Sequence, residues 1–518
     1  MSATLPAFVE QLLTAAAYPH PVAAPIQLLQ THISYVFLTG DYAYKVKKPV
    51  DFGFLNFTTL DKRRFYCQEE LRLNRRLAPQ LYLEVVPILQ RGDRYYIGIG
   101  ANEAIAADTP IVDYAIRMRQ FDQSQLFSHL FAANELSPSL IESLGKELAY
   151  FHTTATTTPE ITSFGSPSAI AQVINNCHTL AEQFIDRCQP RSQYDAIQAF
   201  TNQFLATHQD WFVERQAAGK IRECHGDLHL NNICVYNGQV QIFDCIEFNQ
   251  EFRNIDGIYD VAFLMMDLEF RGRSDLANLF LNTYLEWSSD YEGARLLPLY
   301  LCVRAYIRGN VNSLALNDPA ISDSEKAQIQ ATAAAYYEAA YHYTQPRTPK
   351  LYVMSGLSGA GKSTRGRRLA QQENAIQIRS DAVRKHLAGI PLDRHSRDFP
   401  DVDLYSQAMT QKTYDQLLAY AELLLKQGHT VILDAKYDRC DLRRPVIELA
   451  ERLGVPLEIH YCSAPPQVLS QRLSDRQGDI AEATPDLLPT QMASFEPFEG
   501  AEERYVRHVC EYPEETLV

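Results

Sequence analysis

Residues 356–364, GLSGAGKST, restrict the possible folds of this chain more than any other stretch. They fit the pattern G-x-x-x-x-G-K-[ST] in full, between the apolar segment LYVM and the helix-forming segment KSTRGRRLAQQ. Glycines in such a loop let backbone N–H groups approach a phosphate, and the start of the following helix adds positive potential. The pattern therefore predicts a strand, a phosphate-binding loop and a helix in succession.

The C-terminal third of the chain alternates between short apolar segments and helical segments. The apolar segments are LYVMSG, AIQIRS, HTVILDA and LEIHYC. This alternation predicts a three-layer α/β domain with a parallel sheet. Two prolines in YTQPRTPK, residues 343–350, follow an Ala-rich helical stretch and predict a linker. We therefore divide the chain into residues 1–345 and 346–518.

The loop and its flanking strands supply the polar candidates of this second domain. Lys362 is expected to reach the β- and γ-phosphates of a nucleotide, and Ser363 to reach Mg²⁺. Asp381 follows the second strand and Asp434 ends the third, where an Asp can also be an ordinary helix N-cap. The predicted nucleotide contacts are Gly356, Ser358, Gly359, Ala360, Gly361, Lys362, Ser363 and Thr364.

Residues 350–510 resemble the small P-loop kinases, a group that includes polynucleotide 5′-kinases, gluconate kinases, chloramphenicol phosphotransferases and zeta toxins. The resemblance implies that Asp381 contacts or deprotonates the acceptor hydroxyl and that Asp434 supports Mg²⁺ or its waters. It also implies that Arg472 and Arg476, on a predicted helix–loop lid, clamp the transferring phosphoryl group, and that Arg384 holds substrate.

Residues 225–248, HGDLHLNNICVYNGQVQIFDCIEF, contain a second group of polar candidates. Asp227 and Asn232 are five residues apart, and Asn237-Gly238 between two apolar runs predicts a tight β-hairpin. Folding of the hairpin would return Asp244 to the neighbourhood of Asn232. Hard oxygen ligands of this kind suit Mg²⁺ held against phosphates, and a separate aspartate can accept a proton from an attacking hydroxyl.

This order of residues resembles the catalytic plan of protein kinases. H-G-D-x-H-x-x-N followed by D-x-x-E is similar to the aminoglycoside and choline phosphotransferase family. The resemblance covers about residues 30–340 and implies an α+β bilobal protein-kinase-like domain that uses ATP and Mg²⁺. It implies Asp227 as the catalytic base, Asn232 and Asp244 as Mg²⁺ ligands, and Glu247 as a structural or second-metal residue. The two resemblances together are those of a bacterial fused protein with both domains.

The kinase resemblance also requires a lysine on an N-terminal strand and a glutamate on the next helix. HISYVFL and YAYKVK are joined by a Gly turn and predict a hairpin, and LDKRRFYCQEELRLNRRLA predicts the helix. We select Lys45 and Glu70. Lys47, on the same side of the strand, and Glu69 remain alternatives.

Two local patterns are interpreted as having no catalytic role. Asp51-Phe52-Gly53 spells DFG, but it precedes Asp227, whereas the Mg²⁺ motif of a kinase follows the catalytic loop. The Cys and His residues at 224, 225, 229 and 234 fit no common zinc spacing, and His225 is expected to bond loop backbone.

Net charge and cysteine usage limit the partners. The chain of 518 residues carries a formal charge of -15, which disfavours nucleic acid without excluding it. Its ten scattered cysteines predict reduced thiols in the cytoplasm, and the sequence predicts neither a signal peptide nor a membrane partner.

The leading hypothesis is a cytoplasmic tandem kinase that transfers phosphate from ATP to small-molecule acceptors. Two alternatives remain open. The second domain could act as a kinase for nucleic-acid 5′-ends, or one domain could be catalytically silent and only sense ATP. The oligomeric state is not predicted.

Overall fold

The computed structural model describes residues 5–23, 25–98, 109–318 and 321–510, without the side chain of Cys510. The N-terminal part contains an antiparallel six-stranded sheet in the order β1-β2-β3-β6-β4-β5. The elements are α1 (Ala7–Gln11), β1 (Gln27–Gln30), β2 (Ser34–Leu38), β3 (Tyr42–Lys47), α2 (Leu60–Asn74), β4 (Tyr82–Arg91), β5 (Arg94–Ile97) and β6 (Ile111–Arg119).

The hairpin predicted around Gly40 is confirmed. Strands β2 and β3 pair from Ser34 opposite Lys47 to Leu38 opposite Ala43, and Gly40 has φ of 107° in the turn. Tyr35 and Phe37 of β2 and Tyr44 and Val46 of β3 pack into one buried core. Helix α2 begins at the N-cap Thr59, whose side chain accepts a hydrogen bond from the Lys62 N–H. Strands β1, β4 and β5 were not predicted.

Most of the middle of the chain is helical. The elements are α3 (Phe127–Ala132), α4 (Pro138–Thr154), α5 (Pro159–Ser163), α6 (Pro167–Glu182), α7 (Arg191–Thr207), α8 (Gln209–Ala217), β7 (Ile221–Glu223), β8 (Ile233–Tyr236), β9 (Gln239–Ile242), α9 (Gln250–Arg253), β10 (Asn254–Asp256), α10 (Gly257–Phe270), α11 (Ser274–Ser288), α12 (Leu297–Ala315) and α13 (Asp323–Tyr343). Strands β8 and β9 form the predicted hairpin, and both Asn237 and Gly238 have the positive φ that its two-residue turn requires.

The C-terminal part contains the predicted parallel sheet, in the order β12-β13-β11-β14-β15. The elements are β11 (Leu351–Ser355), α14 (Lys362–Glu373), β12 (Ile376–Arg379), α15 (Ser380–Leu387), α16 (Gln407–Lys426), β13 (Val431–Asp434), α17 (Cys440–Leu453), β14 (Leu457–Ser463), α18 (Pro466–Asp475), α19 (Leu488–Ser494) and β15 (Val506–Cys510). Strand β15 was not predicted.

Strand β12 lies at an edge of this sheet, and helix α11 covers that edge. Asn278 and Asn282 of the helix both donate hydrogen bonds from Nδ2 to the Ala375 carbonyl, at 2.9 and 3.0 Å. The Gln377 N–H donates to Asn282 Oδ1 at 2.6 Å. An uncovered edge strand would offer these backbone groups to another chain, so the two asparagines satisfy them internally.

The chain divides into two compact units. The first comprises Met1–Ser137, Thr154–Ala169 and Trp211–Asp260, and the second comprises Pro138–Thr153, Ile170–Asp210 and Val261–Val518. The boundary between residues 345 and 346 stays a prediction, and the second unit continues across it. Among the described residues, the structure contains no helix of the length and apolarity that a membrane span requires.

Candidate active sites

The first candidate site is built on the loop that follows β7. Its backbone is held by Asp260 in the first turn of α10, whose carboxylate accepts hydrogen bonds from the His225 and Gly226 N–H groups, both at 2.9 Å. Asp260 is fully buried. Asp260 was not among the predicted residues, although a lone Asp within the apolar run GIYDVAFL is a signal for such a role.

His225 is a structural residue, as expected. The Asp227 N–H donates to His225 Nδ1 at 3.2 Å, so the ring carries its proton on Nε2, which lies 2.9 Å from the Phe243 carbonyl. Burial lowers the pKa of His225, which keeps the ring neutral. Both ring nitrogens therefore serve the loop, and neither is available to zinc.

Gly226 has φ of 89°, and a Cβ at this position would lie 2.5 Å from the Phe252 carbonyl oxygen. We expect Gly226→Ala to lower the free energy of unfolding by about 1–3 kcal/mol, measured by urea denaturation. Gly238→Ala is the matched control, because its φ is 74° but no atom of the described residues lies within 4 Å of the added carbon. Equal losses in the two variants would contradict a steric requirement for glycine at 226.

Asp227, the predicted base, lies beside Asn232. Asn232 Nδ2 donates to the Asp227 carboxylate at 3.0 Å and to the Asp227 carbonyl at 2.9 Å. His229 Nε2 lies 3.3 Å from the same carboxylate. The Asp227 side chain keeps 35% of its exposure, so the carboxylate remains accessible to an incoming hydroxyl.

The β8–β9 hairpin returns the chain to this loop, as the sequence analysis expected. The Phe243 N–H donates to the Asn232 carbonyl at 2.9 Å, which places Asp244 one residue beyond the contact. Asp244 has φ of 63°, a left-handed conformation that is uncommon for aspartate and recurs at functional sites. Its carboxylate lies 2.5 Å from Lys45 Nζ.

Lys45, Lys47 and Glu70 are brought together with two further carboxylates in a line of alternating charge. Glu70 Oε1 lies 2.7 Å from Lys45 Nζ, and Glu70 Oε2 lies 2.6 Å from Lys47 Nζ. Lys45 continues to Asp244, and Lys47 continues to Glu247. Three carboxylates face two ammonium groups, so the cluster has an excess of one negative charge that a cation would balance.

Burial distinguishes the two lysines and the two glutamates. The Lys47 side chain is 1% exposed and is enclosed between Glu70 and Glu247, whereas Lys45 is 12% exposed and reaches Asp244. Glu69 pairs instead with the half-exposed Arg72. Lys45 and Glu70 are therefore the pair connected to Asp244, and Lys47 is more deeply buried than Lys45.

The charges of the lysines dominate the ionisation of Glu70. Burial alone would raise the pKa of Glu70, but Lys45 and Lys47 outweigh burial and lower that pKa to about 2. Burial raises the pKa of Glu247 in spite of Lys47. The Asp51 carboxylate of the DFG sequence only closes a local turn, accepting from the Gly53 N–H and from Asn56 Nδ2 at 2.9 and 2.5 Å.

The second candidate site lies at the C-terminal ends of β11, β12 and β13. The predicted nucleotide contacts occupy the loop between β11 and α14 and the first turn of that helix. Gly356 has φ of 135°, and a Cβ there would lie 2.2 Å from the Cys462 carbonyl oxygen, so the loop requires glycine. Lys362 Nζ donates to the Leu357 carbonyl at 2.9 Å, and its burial lowers the pKa of the ammonium group.

Asp434 is buried at the end of β13. It accepts hydrogen bonds from the Ser363 hydroxyl and, at 2.9 Å, from Gln377 Nε2. Burial raises the pKa of Asp434, while the charges of Arg379 and Lys362 oppose the rise. Gln377 and Arg379 were not among the predicted residues, although polar side chains on an otherwise apolar strand, AIQIR, were the available signal.

Asp381, Arg472 and Arg476 lie near this loop, whereas Arg384 contacts residues in and just before α16. Asp381 lies in the first turn of α15, and its charge acts on the pKa of Lys362. Arg472 donates a hydrogen bond to the Gly359 carbonyl at 3.3 Å. The positive charge of Arg476 contributes to the lowered pKa of Lys362. Arg384 bonds the Leu404 carbonyl and the Thr410 hydroxyl.

Both sites offer the donors that Mg²⁺ prefers. Asn232 and Asp244 supply an amide oxygen and a carboxylate in the first site, and Ser363 and Asp434 supply a hydroxyl and a carboxylate in the second. In the second site the two groups are already in contact. The residues present therefore fit Mg²⁺ in both places.

Comparison with known families identifies the class of each part. Residues 65–297 match the phosphotransferase enzyme family, and residues 351–498 match an AAA domain. The chain thus has a kinase-like phosphotransferase domain followed by a P-loop kinase domain with a parallel five-stranded sheet, which confirms the predicted fold class. These two kinase-type domains support phosphotransferase activity.

The chain is also similar over most of its length to full-length relatives. Uncharacterized proteins of Mycobacterium tuberculosis and Mycobacterium bovis are 30% identical over 470 residues, which is 90% of this chain and 90% of theirs. The chain belongs to the same family as these proteins.

Two solved structures show more distant similarity. A choline/ethanolamine kinase family protein from Mesorhizobium loti is 14% identical, with 65% of this chain and 99% of that chain covered and a TM-score of 0.37. A sugar kinase from Janibacter is 21% identical, with coverages of 33% and 90% and a TM-score of 0.24.

Proposed function

We propose that the protein is an ATP-dependent phosphotransferase with two nucleotide sites, each transferring the γ-phosphate to a hydroxyl or amine of a small molecule. The observation that carries this proposal is the arrangement in the first unit. An accessible Asp227 lies next to Asn232, while Asp244 faces the Lys45–Glu70 pair. The Asp227 carboxylate is accessible to the proton of an acceptor hydroxyl, and the Asp244 carboxylate would hold a metal ion together with the Asn232 amide oxygen.

In the first site each residue has a separate task. Asp227 accepts the proton of the acceptor hydroxyl as its oxygen bonds to the γ-phosphorus, and the bond from that phosphorus to the bridging oxygen of ADP breaks. Lys45, oriented by Glu70, holds the α- and β-phosphates. Asn232 and Asp244 would hold Mg²⁺, which would neutralise charge on the phosphates.

In the second site the loop supplies backbone N–H groups for the phosphates, and Lys362 supplies positive charge toward the transferring group. Asp381 orients or deprotonates the acceptor hydroxyl. Arg472 and Arg476 balance the charge of the phosphoryl group as it moves. Ser363 and Asp434 would hold Mg²⁺.

The properties of the whole chain support small acceptors in the cytoplasm. A formal charge of -15 opposes the approach of polyanions such as nucleic acid. The nine cysteines whose side chains the structure describes are free thiols, which is typical of proteins in a reducing compartment.

The test is transfer of labelled γ-phosphate from ATP and Mg²⁺ into a fractionated metabolite extract, with the wild type beside Asp227→Asn and Lys362→Ala. A labelled small product that disappears in one variant assigns the reaction to that domain and yields its acceptor. A product that disappears in both variants indicates that the two domains act in sequence. Absence of any labelled metabolite, with ATP still bound at both sites, would reject small-molecule acceptors.

A further inference from the structure

Helix α11 lies in the region matched by the phosphotransferase family. A row of its polar side chains contacts the edge of the P-loop sheet. Asn278, Asn282 and Glu286 are spaced four residues apart and therefore share one face of the helix. The two asparagines bind the backbone of β12. Glu286 continues the row, and its carboxylate lies 3.2 Å from Arg379 at the end of the same strand.

The contacts continue from β12 to the candidate metal ligands. Gln377 Nε2 donates to the Asp434 carboxylate at 2.9 Å and to the Ser363 carbonyl at 3.3 Å. Arg379 binds Glu286 and, at 2.6 Å, Asp479. Helix α11 is thus connected to the Asp434 carboxylate and to the Ser363 backbone through one intervening residue, Gln377.

We propose that Glu286 and Asn282 are positioning residues of the P-loop nucleotide site, so that part of the phosphotransferase-family region is required for Mg²⁺-dependent nucleotide binding in the other domain. The inference rests on the proposed function of the P-loop site. Nucleotide binding by the P-loop domain would then depend on side chains of the phosphotransferase-family region, as the covering of strand β12 already does.

The positive charge of Arg379 determines how removal of the Glu286 charge should affect Mg²⁺ binding. Its side chain is only 7% exposed, and Arg379 Nε lies 3.9 Å from Asp434, with no hydrogen-bond partner among the described residues. Glu286 and Asp479 hold the guanidinium by its other nitrogens. When Glu286 loses its charge, Arg379 is free to pair with Asp434 and to compete with Mg²⁺ for that carboxylate.

The experiment measures binding of a fluorescent ADP analogue to the full-length protein as Mg²⁺ is varied. The signal that remains in Lys362→Ala is subtracted, which isolates the P-loop site. In Glu286→Gln we expect the Mg²⁺ concentration at half-maximal binding to rise about tenfold, the effect usual for a residue that supports a metal ligand. Binding without Mg²⁺ should not change, and this difference separates positioning from a general structural role.

Glu142→Gln is the matched control. Glu142 lines the same cavity of about 240 Å³ as Glu286, but it pairs with Arg367 at 3.4 Å, whereas Glu286 pairs with Arg379. Its Mg²⁺ dependence should equal that of the wild type. A wild-type Mg²⁺ dependence in Glu286→Gln, or an equal loss of binding with and without Mg²⁺, would overturn the proposal.

Gly366→Ala tests the same connection without removing a charge. A Cβ on Gly366 would lie 2.6 Å from Gln377 Nε2 and would push this flexible side chain away from Asp434. Alanine also favours the helix, so the variant decides the question if Glu286→Gln does not fold. An unchanged Mg²⁺ dependence would again reject the inference. If total nucleotide binding in Lys362→Ala equals that of the wild type, the proposed P-loop function itself is rejected instead.

Discussion

Replacing Asp227 by Asn is expected to lower the rate of phosphoryl transfer at the first site about a thousandfold, because an amide cannot accept the proton of the acceptor hydroxyl. The asparagine oxygen can still accept the hydrogen bond from Asn232, so the loop and the nucleotide site should persist. The loss should therefore fall on kcat and leave the KM for ATP nearly unchanged. The rate is measured as labelled product formed, in a Lys362→Ala background that silences the second site.

Asp51→Asn is the control for this prediction. Asp51 belongs to the literal DFG sequence, yet in the described part of the chain its carboxylate accepts hydrogen bonds from Gly53 and Asn56 of an exposed turn and from no other residue. Its substitution should leave the rate unchanged. A loss of rate in Asp51→Asn comparable to that in Asp227→Asn would indicate that the DFG sequence at residues 51–53 takes part in the reaction. Full activity in Asp227→Asn would exclude Asp227 as the catalytic base.

Glu70→Gln is expected to lower the free energy of unfolding by about 3–5 kcal/mol, the usual loss when one partner of a buried ion pair is removed. The size of the effect follows from burial. Glu70 is fully buried and neutralises two lysines at once, so the substitution leaves both with one counter-ion fewer. Urea denaturation of the variant and the wild type measures the difference.

The adjacent Glu69→Gln provides the matched control. Glu69 pairs with Arg72, which is 47% exposed, so this loss should stay below about 1 kcal/mol. A Glu70→Gln variant as stable as Glu69→Gln would contradict the charge cluster as described.

The lowered pKa of Glu70 also predicts how stability depends on pH. The pKa is about 2 in the folded protein, against about 4.3 for an unfolded chain. The contribution of Glu70 is therefore complete above pH of about 4.3 and is lost as the pH falls toward 2. Glu70→Gln lacks this contribution, so its free energy of unfolding should decline less steeply than that of the wild type across the same interval.

The local patterns of the sequence predicted the elements that form the two candidate sites. The Asn237-Gly238 turn fixed the hairpin that returns Asp244 to Asn232, and the glycine-rich loop fixed the start of α14. Both features depend on residues close together in sequence, where backbone preferences are strong. Strands β4, β5 and β15 were not predicted, because their pairing partners and their burial are set by the tertiary fold.

The residues that the sequence analysis missed act over long separations. Asp260 holds a loop 34 residues away, and Asn282 bonds Gln377 across 95 residues. The choice between Lys45 and Lys47 could not be made from the strand alone, because both side chains point the same way. Their partners, Asp244 and Glu247, and the deeper burial of Lys47 distinguish them.

The cover that α11 places over β12 also bears on how the chain is synthesised. The helix precedes the strand in sequence, so the asparagines that bind the strand edge leave the ribosome before the edge itself. Domains generally fold in this N- to C-terminal order. A fragment of residues 346–518 produced alone would lack α11, and the Ala375 carbonyl and Gln377 N–H would lie open at the sheet edge. Such a fragment would tend to self-associate through that edge, whereas a chain that retains α11 would not.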